Sequence, residues 1–253
     1  MSEGGAAGLG SRGTTKHTME RRTPVFIVCS PLPHVGKTLV ARLLAEYLHA
    51  DGRQVAAFDV NPDDFALAEQ LPDLTATADI GDTKGQMALF DQLIIADDVP
   101  KVIDLGYRRF DQFFAVMQEI EFEAEARRRS IAPAVLFIGE PDQRSTQAYA
   151  TLRERFPGLP LVPVLNAGAE AITRTRSYMR PKYAMAPLQI PLLAPALKTT
   201  IQRSESITAA MDKLTAANMN QLRAWFRQVF LQFRELELRL LLEELKPALQ
   251  LRA

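Results

Sequence analysis

One segment near the start of the chain constrains the fold more than any other. The apolar run Val25–Cys29 predicts a buried strand, and a short loop then leads to Gly36-Lys37-Thr38 at the start of a predicted helix over 38–50. In this arrangement the backbone N–H groups of the loop and of the helix N-terminus converge on one spot, where the helix dipole also favours negative charge. The segment therefore predicts a phosphate-binding loop.

Each residue at the end of this loop has a chemical role in that interpretation. Gly36 lets the backbone pass close to the phosphate oxygens, Lys37 would bridge the β and γ phosphates, and the Thr38 hydroxyl would ligate Mg²⁺. Val35 precedes them in the loop, and His34 would either donate to a phosphate or face solvent. We therefore expect ATP and Mg²⁺ as cofactors.

The rest of the chain indicates an α/β fold. Short, wholly apolar runs alternate with longer amphipathic stretches, a pattern typical of a mainly parallel sheet covered by helices on both faces. We predict a three-layer nucleotide-binding fold of this kind, followed by a C-terminal helical extension. The predicted strands are 25–29, 55–58, 101–105, 134–139 and 161–166, and the predicted helices are 38–50, 85–95, 110–129 and 144–155.

Composition sets the expected domain limits and compartment. Residues 1–22 are rich in Gly, Ser, Thr and charge and predict a disordered tail, residues 23–210 form the nucleotide-binding domain, and residues 211–253 the extension. One cysteine, no run of eighteen apolar residues and no signal-peptide core favour a cytoplasmic protein without a membrane span. The net charge of zero gives no general attraction to nucleic acid.

The loop and three later positions resemble the MinD/ParA/dethiobiotin-synthetase group of P-loop ATPases, over about residues 24–210. The match in the loop is Val35 through Thr38, whereas Pro31 stands where the general pattern has glycine. The lysine that in this family reaches across a dimer to the partner's nucleotide is replaced by Leu32. The resemblance thus implies ATP binding, and the departure at Leu32 puts dimer-activated hydrolysis in doubt.

The three later positions lie at or next to the carboxyl ends of predicted strands. By the resemblance, Asp59 would orient the attacking water or hold Mg²⁺ through a water, although a turn before Pro62 would also explain it. Asp104 resembles a Walker B carboxylate that holds the Mg²⁺ shell, with a turn aspartate before glycine as the alternative. Asn166 resembles the asparagine that reads the adenine edge in this family, or it forms a turn.

Two further segments have open interpretations. The polar run 79–86 would either meet the γ phosphate or a partner, or cap the helix that follows it. The segment 174–183 carries four cations and two tyrosines, which would suit nucleic acid but is also typical of a solvated loop.

The C-terminal helix carries an apolar seam with alternating four- and three-residue spacing. It could pack on its own domain, mediate self-association or lie on a membrane. Balancing glutamates argue against a lipid-binding face. We therefore favour protein contact, with a homodimer or higher oligomer and a protein partner. The seam residues are Leu222, Phe226, Val229, Phe233, Leu236 and Leu240.

Taken together, these features predict a ParA/MinD-like ATPase that acts as a nucleotide-dependent positioning or assembly switch. Lys37, Asp59 and Asp104 are its expected catalytic residues. A small-molecule enzyme of the dethiobiotin-synthetase type and a nucleotide-binding scaffold with little hydrolysis are the alternatives. A bacterial tyrosine kinase, suggested by the loop 31–38, ranks between these two, because the chain has no tyrosine after Tyr183.

Overall fold

The computed structural model describes residues 22–62, 64–168 and 185–250. Its strands are β1 Thr23–Cys29, β2 Ala56–Val60, β3 Thr75–Thr77, β4 Lys101–Leu105, β5 Ile131–Ile138, β6 Leu161–Asn166 and β7 Leu188–Ile190. Its helices are α1 Lys37–Ala50, α2 Ala66–Gln70, α3 Thr83–Leu93, α4 Phe110–Glu119, α5 Phe122–Arg128, α6 Gln143–Arg155, α7 Pro195–Gln202, α8 Ile207–Asp212 and α9 Ala216–Gln250, with a 3₁₀ turn at Tyr107–Arg109.

The described strands form one sheet in the order β3-β2-β4-β1-β5-β6-β7, and every neighbouring pair is parallel. The predicted α/β class with a mainly parallel sheet is therefore confirmed. The central strand β1 lies between β4 and β5. From β1 the chain continues to β2 on one side of the sheet, and from β4 it continues to β5 on the other side. The loop after β1 therefore lies where the strand order reverses, as ligand-binding loops do in open sheets of this class.

Helices cover both faces of the sheet and create two apolar cores. On one face, Phe26 and Val28 of β1 pack with α1, α2 and the helices α7–α9. On the other face, Val25 and Ile27 of the same strand pack with α3–α6. The alternation of side chains along β1 thus joins both cores to the strand that carries the candidate loop.

The predicted helix over 110–129 is wrong as a single element. It consists of α4 and α5, separated by Ile120 and Glu121, and the backbone of Glu121 is left-handed (φ 50°). In one continuous helix Phe122 would point more than a quarter-turn away from the stripe that contains Phe113 and Phe114. The break turns Phe122 back into the same core, where it is almost completely buried.

Other boundaries differ by a few residues. The predicted helix over 85–95 begins instead at Thr83, because Asp82 caps it, and the strand predicted at 134–139 starts at Ile131. The short elements α2, β3 and β7 were not predicted, since three to five residues give too little periodicity to recognise.

Helix α9 packs on its own domain through the predicted seam. Five of the six seam residues, from Leu222 to Leu236, are buried in the core that α1 and the sheet share, and Leu240 is partly buried against it. Trp225 adds a hydrogen bond from its indole nitrogen to Pro191 O (2.8 Å). Of the uses considered for the seam, the structure therefore shows packing within the chain.

A buried ionic cluster fastens α7 and α8 to the helix that starts at the loop. The Arg42 side chain, fully buried in α1, donates to Glu46 Oε1 (2.7 Å) and to the carbonyl oxygens of Ile201 and Ser204 (2.7 Å each). Glu46 Oε2 accepts from the backbone nitrogen of Ile207 (2.7 Å). No helix in the described ranges has the length and apolarity that crossing a bilayer requires.

Candidate functional site

The loop joining β1 to α1 ends at a helix N-terminus that no side chain caps. Gly36 occupies the cap position of α1 without a side-chain hydrogen bond, and the first turn contains no acidic residue. In contrast, Asp82 and Asp142 cap α3 and α6. The free N–H groups and the positive end of the dipole therefore remain available at α1, as an anion site requires.

The conformation of the loop depends on its glycine. Gly36 has φ 93°, in the left-handed region, and a Cβ atom at this position would overlap Nδ2 of Asn166. His34 also has positive φ (57°), and its side chain is exposed. Val35 is buried, and its carbonyl oxygen accepts a hydrogen bond from Asn166 Nδ2 (3.0 Å).

Asn166 thus lies next to the loop, as predicted, but it contacts protein. Its amide nitrogen holds Val35, and its amide oxygen accepts from the backbone nitrogen of Gly168 (3.1 Å). Both ends of the side chain therefore fix the loop and the following turn. The adenine contact expected for Asn166 stays a prediction, and supporting the loop is a role that the sequence did not reveal.

Lys37, the first residue of α1, is mostly buried at the site. Its Nζ atom donates to the carbonyl oxygen of Leu32 within the same loop (2.6 Å) and lies 5.7 Å from the centre of the Tyr107 ring. Burial lowers the pKa of Lys37, and the charge of Asp104 counters that shift. The ammonium group is thus held beside the loop by a carbonyl and an aromatic face, from which it can move to a phosphate.

Asp59 and Asp104 lie side by side in the sheet. They are register partners in β2 and β4, and both side chains are buried. Burial raises the pKa of Asp104 to about 7, with the neighbouring charge of Asp59 adding to the effect and a hydrogen bond with the Thr38 side chain opposing it. Burial likewise raises the pKa of Asp59 to about 6. The structure therefore brings three predicted residues, Thr38, Asp59 and Asp104, to one place.

These three side chains suit Mg²⁺. All offer hard oxygen donors, and Asp59 Oδ1 is buried without a hydrogen bond of normal geometry among the described residues. Two adjacent buried carboxylates repel each other, which a divalent cation would relieve. Within the described ranges no three His, Cys, Asp or Glu side chains cluster as a metal site, so much of the coordination would come from phosphate oxygens and water.

The polar run 79–86 forms a capping turn. Asp82 accepts from Gly85 N (2.7 Å), and Gly85 itself is required because a Cβ there would overlap the Asp79 carbonyl oxygen. The turn is also tied to the residues after β4, since Asp79 Oδ1 accepts from Arg109 Nη2 (2.9 Å). The capping interpretation is thus confirmed, and contact with a γ phosphate stays a prediction. The segment 174–183 lies outside the described residues.

Comparisons with known proteins give likenesses of fold. No family model matches the sequence, and no curated protein does. A nucleotide-binding protein from Archaeoglobus fulgidus, in complex with ADP, is 17% identical, with 72% of this chain and 87% of that chain covered and a TM-score of 0.45. A ParA family ATPase from Chlorobium tepidum is 12% identical (81% and 98% covered, TM-score 0.48).

A candidate plasmid partition protein from Borrelia burgdorferi, bound to AMPPNP, is 11% identical (83% and 99% covered, TM-score 0.44). Sequence identities and TM-scores this low describe a likeness of fold and carry no information on function. In fold, the chain is similar to a ParA family ATPase and to two other proteins of known structure that hold an adenine nucleotide.

Proposed function

We propose that this chain binds MgATP on the loop 31–38 and acts as a nucleotide-dependent switch for positioning or assembly. One observation carries the proposal: a buried lysine, a threonine hydroxyl and two adjacent buried carboxylates meet at the uncapped start of α1. A cation for the phosphates, oxygen donors for Mg²⁺ and free N–H groups are the three things that nucleotide binding needs.

The roles follow from the contacts. Lys37 would leave the carbonyl of Leu32 and bind the β and γ phosphates, while the N–H groups of the loop and of the first turn of α1 bind the remaining oxygens. Thr38, with Asp104 behind it, and Asp59 would hold Mg²⁺, which neutralises phosphate charge when bound. The attraction between the bound cation and Asp59 and Asp104 would offset the free-energy cost of keeping two carboxylates buried.

Asp59 also gives the site a connection to a neighbouring element. Its Oδ2 atom accepts from the backbone nitrogens of Leu67 (2.9 Å) and Ala68 (3.2 Å), so the same carboxylate holds the start of α2. A change in what Oδ1 binds would alter the orientation of Asp59 and with it the position of α2. Differential contact of this kind is what allows a bound nucleotide to shift a conformational equilibrium.

A nucleotide-binding scaffold with slow hydrolysis is a second candidate, favoured by the residues near the loop. Leu32 packs partly against the core and brings no charge, and the Arg109 guanidinium is engaged by Asp79 and Gln112. An added cation at the γ phosphate is worth roughly 10³–10⁵ in rate. We therefore expect tight binding with slow turnover by the isolated chain.

The test is calorimetric titration of MgATP into the wild-type protein and into Lys37→Ala. Lys198→Ala, which removes an exposed lysine on α7, is the matched control. We expect Lys37→Ala to abolish measurable binding, with an unchanged circular dichroism spectrum, and Lys198→Ala to bind as the wild type does. ATP affinity retained by folded Lys37→Ala would overturn the proposal.

A further inference from the structure

Helix α2 is too short to be stable by itself. It has five residues, Ala66–Gln70, with Leu67 buried and the others partly or fully exposed. Nucleating a helix costs more free energy than a single turn of hydrogen bonds returns, so the order of α2 depends on what holds its two ends. One end is held by the candidate nucleotide site and the other by the buried cluster around Arg42.

The amino-terminal end of α2 is attached to the site through Asp59. Oδ2 of this carboxylate accepts from the backbone nitrogens of Leu67 (2.9 Å) and Ala68 (3.2 Å). Oδ1 is buried without a hydrogen bond of normal geometry among the described residues, and the adjacent carboxylate of Asp104 repels it. Asp59 with a cation at Oδ1 would lose that repulsion and keep one orientation, in which Oδ2 holds the start of α2.

The carboxyl-terminal end of α2 is attached to Arg42. Oε1 of Gln70, the last residue of α2, accepts from Arg42 Nη1 (3.1 Å), and the same nitrogen donates to the carbonyl oxygen of Ile201 (2.7 Å). Nη2 donates to the carbonyl oxygen of Ser204 (2.7 Å). Because the guanidinium is planar and its N–H groups have fixed directions, a displacement of Gln70 changes the geometry of the bonds to both carbonyls.

These two carbonyls lie where α7 turns into α8. Ile201 is in the last turn of α7, and Ser204 lies in the connection that leads to α8. The first residue of α8, Ile207, donates its backbone nitrogen to Glu46 Oε2 (2.7 Å), and α8 packs in the same core as the start of α9. The α7–α8 corner, residues 201–207, is thus fixed by the same buried cluster that holds the end of α2.

We propose that α2 couples the nucleotide site to the α7–α8 corner. With MgATP bound, Asp59 holds the start of α2, Gln70 then holds the guanidinium of Arg42 in place, and the corner opens less often. The coupling rests on the proposed function, since Asp59 must receive the cation that comes with the nucleotide. It needs no change of fold, because a ligand that suppresses local opening at one site also suppresses it in elements held by the same contacts.

Hydrogen exchange read by mass spectrometry, with and without saturating MgATP, measures the coupling in the full-length chain. We expect MgATP to slow exchange both in α2 and in the α7–α8 corner by about fivefold or more, the low end of coupling between sites. Gln70→Ala removes the acceptor for Arg42 but keeps a good helix former. Its response should persist in α2 and disappear from the corner, with ATP affinity in calorimetry close to that of the wild type.

Two further variants separate this coupling from a general loosening of α2. Gln70→Glu keeps an acceptor for Arg42 and should keep the response at the corner. Glu69→Ala makes the same truncation at the exposed neighbouring residue of α2 and should leave both responses as they are in the wild type. Loss of the corner response in Glu69→Ala as well would overturn the role of Gln70, because any weakening of α2 would then have the same effect.

The remaining outcomes distinguish the coupling from the proposed function. A wild-type protein that binds MgATP without a change of exchange at the corner would overturn the coupling and leave the proposed function standing. A corner response that persists in Gln70→Ala would also overturn the coupling, because another contact would then connect the site to the corner. Failure of the wild-type protein to bind MgATP would overturn the proposed function and the coupling together.

Discussion

Replacing Arg42 with methionine tests how strongly α1 is fastened to the rest of the fold. The guanidinium is fully buried and has four acceptors: Glu46 Oε1, Gln70 Oε1 and the carbonyl oxygens of Ile201 and Ser204. Arg42→Met fills much of the same space but donates nothing. The carboxylate of Glu46 would remain buried with the backbone nitrogen of Ile207 as its partner. The Ser204 carbonyl would lose its donor, whereas the Ile201 carbonyl would keep the backbone nitrogen of Ser204 (3.1 Å).

The expected cost follows from those losses. Leaving one partner of a buried ion pair uncompensated costs about 3–5 kcal/mol, and the unsatisfied carbonyl of Ser204 about 1–3 kcal/mol more, with part of both recovered by relaxation and water entry. We expect a loss of about 4–6 kcal/mol in the free energy of unfolding. For a chain of this size that corresponds to a fall in Tm of very roughly 8–24 °C, at about 2–4 °C per kcal/mol.

Urea denaturation followed by circular dichroism measures the effect, with the slope m checked for two-state behaviour. Arg128→Met is the control, because Arg128 is exposed and its pairing with Glu125 on the surface is worth less than about 1 kcal/mol. The double variant Arg42→Met/Glu46→Leu removes both charges and should regain most of the loss. A cost below about 1 kcal/mol for Arg42→Met would show that the cluster does not hold α7 and α8 to α1.

Three further predictions concern the loop, the C-terminal helix and catalysis. Gly36→Ala places a Cβ against Asn166 at a left-handed φ; it should abolish ATP binding in calorimetry and cost about 1–2 kcal/mol in urea, and retained affinity would refute this. Removing the chain after Ala217 exposes the core beneath α9 and should lower Tm by more than about 10 °C in calorimetric scans; an unchanged Tm would contradict the buried seam. Phosphate release by the isolated protein should stay below about one per second, with little change in Arg109→Ala because that side chain is held by Asp79; several turnovers per second would contradict it.

The sequence predicted those parts of the site whose signal is local. A buried strand, a loop and Gly36-Lys37-Thr38 follow one another within fourteen residues, so their arrangement depends on short-range geometry that any such fold shares. Likewise Asp104 and Asp59 each end an apolar run, and parallel strands bring such ends to the same edge of the sheet. What could not be predicted is that the two are register partners, since that depends on which strands become neighbours.

Contacts between residues far apart in the chain could not be predicted from residue spacing. Asn166 is 131 positions after the loop carbonyl that it holds, and Arg42 is 159 positions before the carbonyl of Ile201. The seam of α9 also shows what sequence periodicity leaves undetermined. Its periodicity establishes an amphipathic helix, but a helix buries an apolar face equally well against its own domain or against another chain.

For this chain, then, the sequence by itself determined the α/β class, the loop between β1 and α1 and the strand-end carboxylates, because each depends on the order of nearby residues. The tertiary structure decided which face of α9 is buried and which stays exposed, and where the break between α4 and α5 falls. It also decided that Asn166 supports the loop and that Arg109 is engaged by Asp79. Those outcomes depend on surfaces far apart in the chain, whose packing forms only when the whole sheet has assembled.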